Sequence, residues 1–347
     1  MIHLVALYAH KNTSNLHSVK ILVTGANGFI GSHLCAELVK RGHSVVGTRR
    51  STSDMDPFRR IMDFHQLEPE KVDWRISSLT TPWEVEEALK DVDQVYHTAG
   101  MVSFERRDSQ RLIASNVWLT QRIVDACNRM NIPLCHFSST SVFPTRDVVH
   151  VDWPLSNPEG PRSAYGESKY LAELEVWRGR EEGLQAVIVN PGIVLGYGDW
   201  TSGSTALFKK AVSGFPFYTD GGTGFVGVQD VCSAAALLME HQVFKERFLL
   251  VEGNYPFKVV QDMMADGFGS NQPRIRVGKA ISQLIAAISA PMAWIGSKPL
   301  ITRETARSAH RISRYDGTRV SQMISEFQYQ PIEDVIGEAC EAFKNRP

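Results

Sequence analysis

The chain has 347 residues, 43% of them hydrophobic, enough for one large core or two linked ones and far beyond a small disulfide-stapled domain. Its formal net charge of -1 gives no overall electrostatic reason to expect nucleic acid or an anionic membrane, so the expected partner is a small-molecule substrate. Cys35, Cys127, Cys135, Cys232 and Cys340 lie far apart without a C-x-x-C pair, and the 11 histidines show no ligand spacing; no disulfide framework and no metal are expected, which suits a reducing cytoplasm.

In chain order, residues 2 to 9 are mostly apolar, but no basic residue precedes them and no A-x-A site follows. Residues 1–18 are therefore read as an extension and not as a signal peptide. Val19, Ile21, Leu22 and Val23 then read as a strand buried on both faces, followed by Gly25, Gly28 and Gly31 and a helical pattern. That order builds a dinucleotide site. Gly25 allows the tight turn, Gly28 lets backbone approach a pyrophosphate, and Gly31 lets the helix pack on the strand, with the pyrophosphate on the helix N-terminus. The alternative is a glycine-rich turn of some other α/β protein. The helix runs from Ser32 to Arg41 and is closed by Gly42; His43 to Thr48 is the second strand, ending in Arg49 and Arg50.

A third strand is expected at Lys71–Ile76, a helix at Pro82–Leu89 and a fourth strand at Gln94–His97, broken at Gly100. The helix from Arg111 to Met130 is apolar on more than one face, which implies burial on both sides. A fifth strand at Leu134–Ser138, a helix from Ala164 to about Arg180 and a sixth strand at Gln185–Val189 complete the alternation. The fold class is α/β, a Rossmann-type doubly wound parallel sheet with a smaller C-terminal substrate lobe. The nucleotide-binding part is residues 19–190. The substrate lobe is mainly 191–347, with 225–251 returning to the sheet. The apolar stretch from Leu284 to Ile295 contains Pro291 and is too short for a bilayer core of about 30 Å. It is read as a helix on the substrate side, with interfacial membrane contact as the alternative, and no membrane span is expected.

The strongest chemical signal is Tyr165-Gly-Glu-Ser-Lys169, a tyrosine and a lysine four apart on one helix face, after Ser138 and Ser139 at a strand end. A tyrosine has a pKa of about 10, so proton exchange near neutrality needs a shift of ~3 units, or ~4 kcal/mol of phenolate stabilisation. An ammonium one turn away supplies part of it, and a serine hydroxyl can hold a substrate oxygen against the phenol. Taken alone, such a pair is a common solvated surface pair; its place after the glycine turn and the serine strand argues for chemistry.

With these motifs in order, the chain resembles the short-chain dehydrogenase/reductase superfamily, in its extended branch of NAD(P)-dependent epimerases, dehydratases and reductases. TGANGFIG, VYHTAG (95–100), FSSTSVF (137–143), NPGIVLG (190–196) and FVGVQDV (225–231) carry the resemblance from Val19 onward. It implies Tyr165 as acid/base, Lys169 on the ribose hydroxyls and lowering the tyrosine pKa, and Ser139 on the substrate oxygen, with Ser138 and Thr140 as alternatives. Asn116 is implied as support for the lysine or a relay water, against a reading as a helix-packing residue. The cofactor residues implied are Gly25, Asn27, Gly28, Phe29, Ile30 and Gly31 of the turn, Thr98, Ala99 and Gly100, and Tyr165, Lys169, Pro191 and Ile193. The family often forms a homodimer on the helices at 111–130 and 164–180.

Two positions depart from the family pattern. Ser78 stands where many members carry an aspartate for adenine. Arg49 and Arg50 follow Thr48 where NAD-binding members carry an acid for the ribose 2′-hydroxyl. The arginines point to NADP rather than NAD, because a guanidinium forks onto a 2′-phosphate. GTRRST and LITRETAR (300–307) resemble dihydroflavonol-reductase-like and 3β-hydroxysteroid-dehydrogenase-like members, so an NADP-dependent oxidoreductase that reduces a carbonyl, or in reverse oxidises an alcohol, is expected. The runner-up is a sugar-nucleotide epimerase or dehydratase gripping a diphosphate with Lys209, Lys210, Arg247, Arg274 or Arg276. A non-catalytic NADP-sensing regulator is a third reading, opposed by the intact Ser139, Tyr165 and Lys169.

Overall fold

The computed structural model describes residues 18–103, 105–143, 149–150, 163–201, 203–244, 246–289 and 302–345. The expected extension, apart from Ser18, lies outside the described residues, as do residues 290–295 of the apolar stretch. Strands β1 (Lys20–Thr24) and β2 (Ser44–Arg49) flank helix α1 (Phe29–Lys40), and α2 (Asp56–Phe64) leads to β3 (Val72–Ile76). Then come α3 (Pro82–Leu89), β4 (Gln94–His97), α4 (Ser109–Leu112), a π-helical stretch (Ile113–Trp118), α5 (Leu119–Met130), β5 (Leu134–Phe137), α6 (Ala164–Glu181) and β6 (Ala186–Pro191). The seventh strand of the main sheet, β10 (Arg247–Leu250), comes from further along the chain.

Every pairing in this sheet is parallel, in the order β3-β2-β1-β4-β5-β6 with β10 on the far edge, so the connections reverse between β1 and β4. Period-two alternation assigns side chains to the two faces. Ile21 and Val23 of β1 pack with Leu34 and Leu38 of α1 on one side, while Leu22 packs with Val85, Leu89, Ile123 and Val176 on the other. Both faces are covered, which is why the strands read as continuous apolar runs. In contrast to the expected start at Ser32, α1 begins at Phe29, directly on the glycine turn.

After β6 come β7 (Ile193–Leu195), α7 (Ala206–Val212), β8 (Phe217–Tyr218), β9 (Gly222–Gly227), α8 (Val228–Glu240), β10 (Arg247–Leu250), β11 (Gly253–Pro256), α9 (Phe257–Phe268), β12 (Ile275–Arg276), α10 (Lys279–Ser289), α11 (Arg303–Ser308), α12 (Arg319–Met323) and α13 (Ile332–Lys344). Of residues 225–251, α8 packs on α1 and β10 pairs with β6 in the main sheet. β9 instead pairs with β7 and β11 in a separate three-stranded sheet. A second apolar cluster containing Phe208, Phe225, Met264, Ile336 and Phe343 holds this half together.

Candidate active site

The glycine turn is built as the sequence chemistry requires. Gly25 has φ +68°, and a Cβ there would stand 2.7 Å from the Ala99 Cα, so the turn needs a residue free of both constraints. A Cβ on Gly31 would fall on the Gly25 carbonyl oxygen, so the helix can approach only without one. The Thr98 hydroxyl donates to the Thr24 carbonyl (2.7 Å), and the Ala99 N–H donates to the Thr24 hydroxyl (3.3 Å), tying the ends of β1 and β4 together. These ends lie on either side of the point where the strand order reverses, where open α/β sheets bind ligands.

One continuous cleft of about 2930 Å³ opens over this point. Its wall includes Gly25, Asn27, Gly28, Phe29, Ile30 and Gly31 together with Thr98, Gly100, Ser139, Tyr165 and Ile193. That is well above the roughly 300–1,000 Å³ of an ordinary small-ligand site, leaving room for a dinucleotide and a substrate. A Cβ on Gly28 would meet only the Gly25 oxygen, at 3.1 Å, among protein atoms and would otherwise stand in the cleft at the helix N-terminus. The residues present therefore fit a dinucleotide cofactor. Ala99 packs under the turn, and Pro191 ends β6 beside Ile193 without itself lining the cleft.

The three hydroxyls of the serine strand have different partners. Ser138 is buried and donates to Glu173 Oε2 (2.7 Å), away from the cleft. Thr140 hydrogen-bonds to the Tyr315 hydroxyl. Ser139 lies on the cleft wall, hydrogen-bonded to the Tyr165 hydroxyl and receiving the Ser141 hydroxyl at 3.0 Å. Burial raises the pKa of Tyr165, and the Ser139 hydrogen bond offsets part of that rise. This direction is opposite to the one expected from a neighbouring ammonium. The physical reason is burial of the phenol, while Lys169 Nζ is directed to the Phe137 carbonyl, at 2.5 Å, rather than to the phenol. Burial in turn draws Lys169 down to about 8, with Glu173 opposing the shift.

Asn116 lies in the π-helical stretch where the sequence predicted an uninterrupted helix. Its Oδ1 accepts the Met101 N–H (2.7 Å), and its Nδ2 donates to the Met101 carbonyl (3.0 Å) and to the Ser168 hydroxyl (2.9 Å). A Cβ on Gly100 would stand 3.3 Å from Asn116 Oδ1 and 3.8 Å from Lys169 Nζ, so asparagine, lysine and Gly100 share one small space.

Glu173 was missed by sequence reasoning. It is fully buried, and it accepts from Ser138, Asn190 Nδ2 (2.8 Å), Trp177 Nε1 (3.2 Å) and Arg247 Nη1 (3.1 Å). The available signal was its spacing: Tyr165, Lys169 and Glu173 recur every four residues on one helix face. The same network corrects an expectation, because Arg247 is buried against Glu173 and cannot grip a diphosphate. Of the other four cations named for that grip, only Lys210 lines the cleft, while Arg303, Arg307 and Arg311, which were not named, line it too. Arg276 is paired with Asp220. Ser78 donates to Glu84 Oε1 (2.9 Å) within the cap of α3. Arg49 ends β2 and Arg50 follows it, both outside the cleft wall.

The NAD dependent epimerase/dehydratase family model matches residues 21–250, and the chain belongs to that family. It is an NAD(P)-dependent oxidoreductase of small molecules, of the extended short-chain dehydrogenase/reductase type. Among relatives, the sterol demethylase protein B of Methylococcus capsulatus is 26% identical over 78% of this chain and 81% of its own. The tetraketide alpha-pyrone reductase 2 of Arabidopsis thaliana is 27% identical over 76% of this chain and 91% of its own. The crystal structure of gox2253 superposes with TM-score 0.77 at 26% identity, covering 94% of this chain and 98% of that one. The UDP-glucuronic acid 4-epimerase of Bacillus cereus, solved with NAD, shares the fold at TM-score 0.72 and 19% identity, covering 94% of this chain and 98% of that one.

Proposed function

We propose that the protein is an NADP-dependent reductase of a carbonyl group on a small organic molecule, working through Ser139, Tyr165 and Lys169. The observation that carries this is the Ser139–Tyr165 hydrogen bond on the cleft wall, with the phenol held protonated and with Thr140 and Ser141, not an Asp-Glu pair, following the serine. Thr140 is engaged by Tyr315, and Ser141 donates to Ser139, so proton transfer falls to Tyr165 alone. A nicotinamide held in the cleft would supply the hydride.

Ser139 holds the substrate oxygen, and Tyr165 gives its phenolic proton to that oxygen as negative charge develops there. Lys169 contributes positive charge and a donor toward the ribose, and Asn116 fixes the Met101 backbone beside it. Residues 19–190 with 228–250 carry the cofactor, and most of the remaining C-terminal half shapes the substrate space. Arg49 and Arg50, in no ion pair among the described residues, support NADP over NAD, with Thr48 where an acid would repel the phosphate.

A second reading as a sugar-nucleotide epimerase draws on Lys210, Arg303 and Arg307 along the cleft, which could meet a diphosphate. Absorbance at 340 nm with a panel of ketones and aldehydes separates the two. Stoichiometric NADPH consumption, lowered at least ~100-fold in Tyr165→Phe, is expected because the general acid is gone. Interconversion of a nucleotide sugar on tightly held cofactor, with no net absorbance change, would overturn the reductase reading.

A further inference from the structure

The cleft has an apolar rim where it meets solvent. Helix α10 has no charged residue after Lys279 and sits on α11 through buried Ala286 and through Ser282, whose hydroxyl is 2.8 Å from His310 Nε2. On another side, spaced i, i+3, i+4 and i+7, Ile281, Leu284, Ile285 and Ile288 are 55%, 59%, 39% and 70% exposed. Ile281 and Ile285 also line the cleft. The Val277 N–H donates to the Tyr218 carbonyl (2.8 Å), so α10 starts against β8, where exposed Phe217 pairs with exposed Ile275. Single exposed apolar residues are ordinary, but a continuous patch at the mouth of a site marks an interaction surface.

The charges around the patch are mostly cationic, with Asp220 and Glu304 as the carboxylates nearby. Lys209 and Lys210 on α7, Arg274 before β12 and Lys279 at the start of α10 are exposed and in no ion pair among the described residues. Asp220 is already held by Arg276. A chain of net charge -1 thus carries a locally basic, apolar rim. Cations flanking an uncharged, apolar helix face are the composition of an interfacial membrane helix. The 11 described residues of α10 span about 16 Å, a length suited to lying in the interface.

We propose that this rim docks on an anionic lipid bilayer and that the cleft takes a lipophilic carbonyl compound from it; the substrate half rests on the reductase reading, and the docking half does not. A bilayer fits better than a folded partner or a second copy. Either protein seated here would cover the mouth of the cleft, whereas fluid lipid leaves substrate exchange open.

Flotation of the full chain with vesicles tests the docking without any assay of activity. Binding is expected to phosphatidylcholine vesicles containing about 30 mol % phosphatidylserine, weaker to phosphatidylcholine alone, and weakened by salt. Leu284→Ser with Ile288→Ser, exposed positions that do not line the cleft, is expected to bind at least ~30-fold more weakly, because each buried apolar side chain contributes a factor on the order of ten. That variant should still consume NADPH with a water-soluble carbonyl substrate at the wild-type rate. No binding to either vesicle, undiminished binding by the double variant, or a dimer that Leu284→Ser with Ile288→Ser dissociates would each overturn the docking. Vesicle binding without NADPH consumption on any carbonyl would overturn the reductase reading and leave the docking standing.

Discussion

Lys169 shows what a single buried side chain can report. Burial lowers its pKa to about 8 and the Glu173 carboxylate opposes that fall, so the ammonium is lost as pH rises through about 8. If activity needs the charge, the pH profile of kcat/KM has an alkaline limb there. Glu173→Gln removes the opposing carboxylate and is expected to move that limb to lower pH; an unmoved limb would show that the carboxylate is not felt at the site. The same change removes the Glu173 carboxylate from buried Arg247, so thermal unfolding should be followed beside it. Arg49 and Arg50 give a second residue-scale expectation. Titration should show at least ~10-fold tighter NADPH than NADH, lost in Arg49→Glu with Arg50→Glu, since each guanidinium–phosphate contact is worth on the order of 1.5–3 kcal/mol. Equal affinities in the wild type would remove NADP from the proposal.

At the scale of elements, a chain of polar contacts joins α1, α2 and the segment after β7. Lys40 Nζ stands 3.0 Å from His65 Nδ1, His65 Nε2 stands 2.8 Å from His33 Nδ1, and His33 Nε2 stands 2.8 Å from the Tyr197 carbonyl. An ammonium can only donate and a carbonyl only accept, so both imidazoles must be neutral, each carrying its proton on Nε2. Burial lowers His33 to about 4 and His65 to about 3. With folded values below the unfolded 6.5, the unfolded chain takes up protons first, and stability falls as pH drops from 6.5 toward 4. Urea unfolding is expected to show a loss of roughly 5 kcal/mol between pH 7 and pH 4.5 from this pair, at about 1.4 kcal/mol per unit for each histidine below pH 6.5. His33→Gln should flatten that slope, and an unchanged slope would assign the acid sensitivity to other groups. The π-helical stretch belongs to this scale too. Its spacing leaves Asn116 buried and facing Met101 and Ser168, a placement that a regular 3.6-residue period does not foretell.

For the whole molecule, the remaining question is assembly. α5 and α6 pack together through Val124, Val176 and their neighbours, and Trp118 before α5 is 52% exposed. A homodimer on this pair of helices would cover that ring and leave the apolar rim around α10 free for lipid. Sedimentation at micromolar concentration is expected to show a species near twice the 38.8 kDa of the chain, shifted toward monomer by Trp118→Glu. A single monomeric boundary would exclude the dimer. The described helices contain none long and apolar enough to cross a membrane.

The parallel sheet, the glycine turn and the Tyr165–Lys169 pair were legible in the sequence because each rests on short-range chemistry. Strands covered on both faces must be apolar throughout, a turn at φ +68° needs glycine, and a four-residue helical spacing puts two side chains on one face. Contacts between distant segments were not legible. Ser138, Ser139 and Thr140 are equivalent hydroxyls in sequence, and only Glu173 on α6 and Tyr315 near the C-terminus decide which one is left to face Tyr165. Arg247 looked like a cation for a substrate phosphate until the fold buried it against Glu173. The direction of the Tyr165 shift also came from the tertiary structure, since desolvation depends on how the fold buries the phenol.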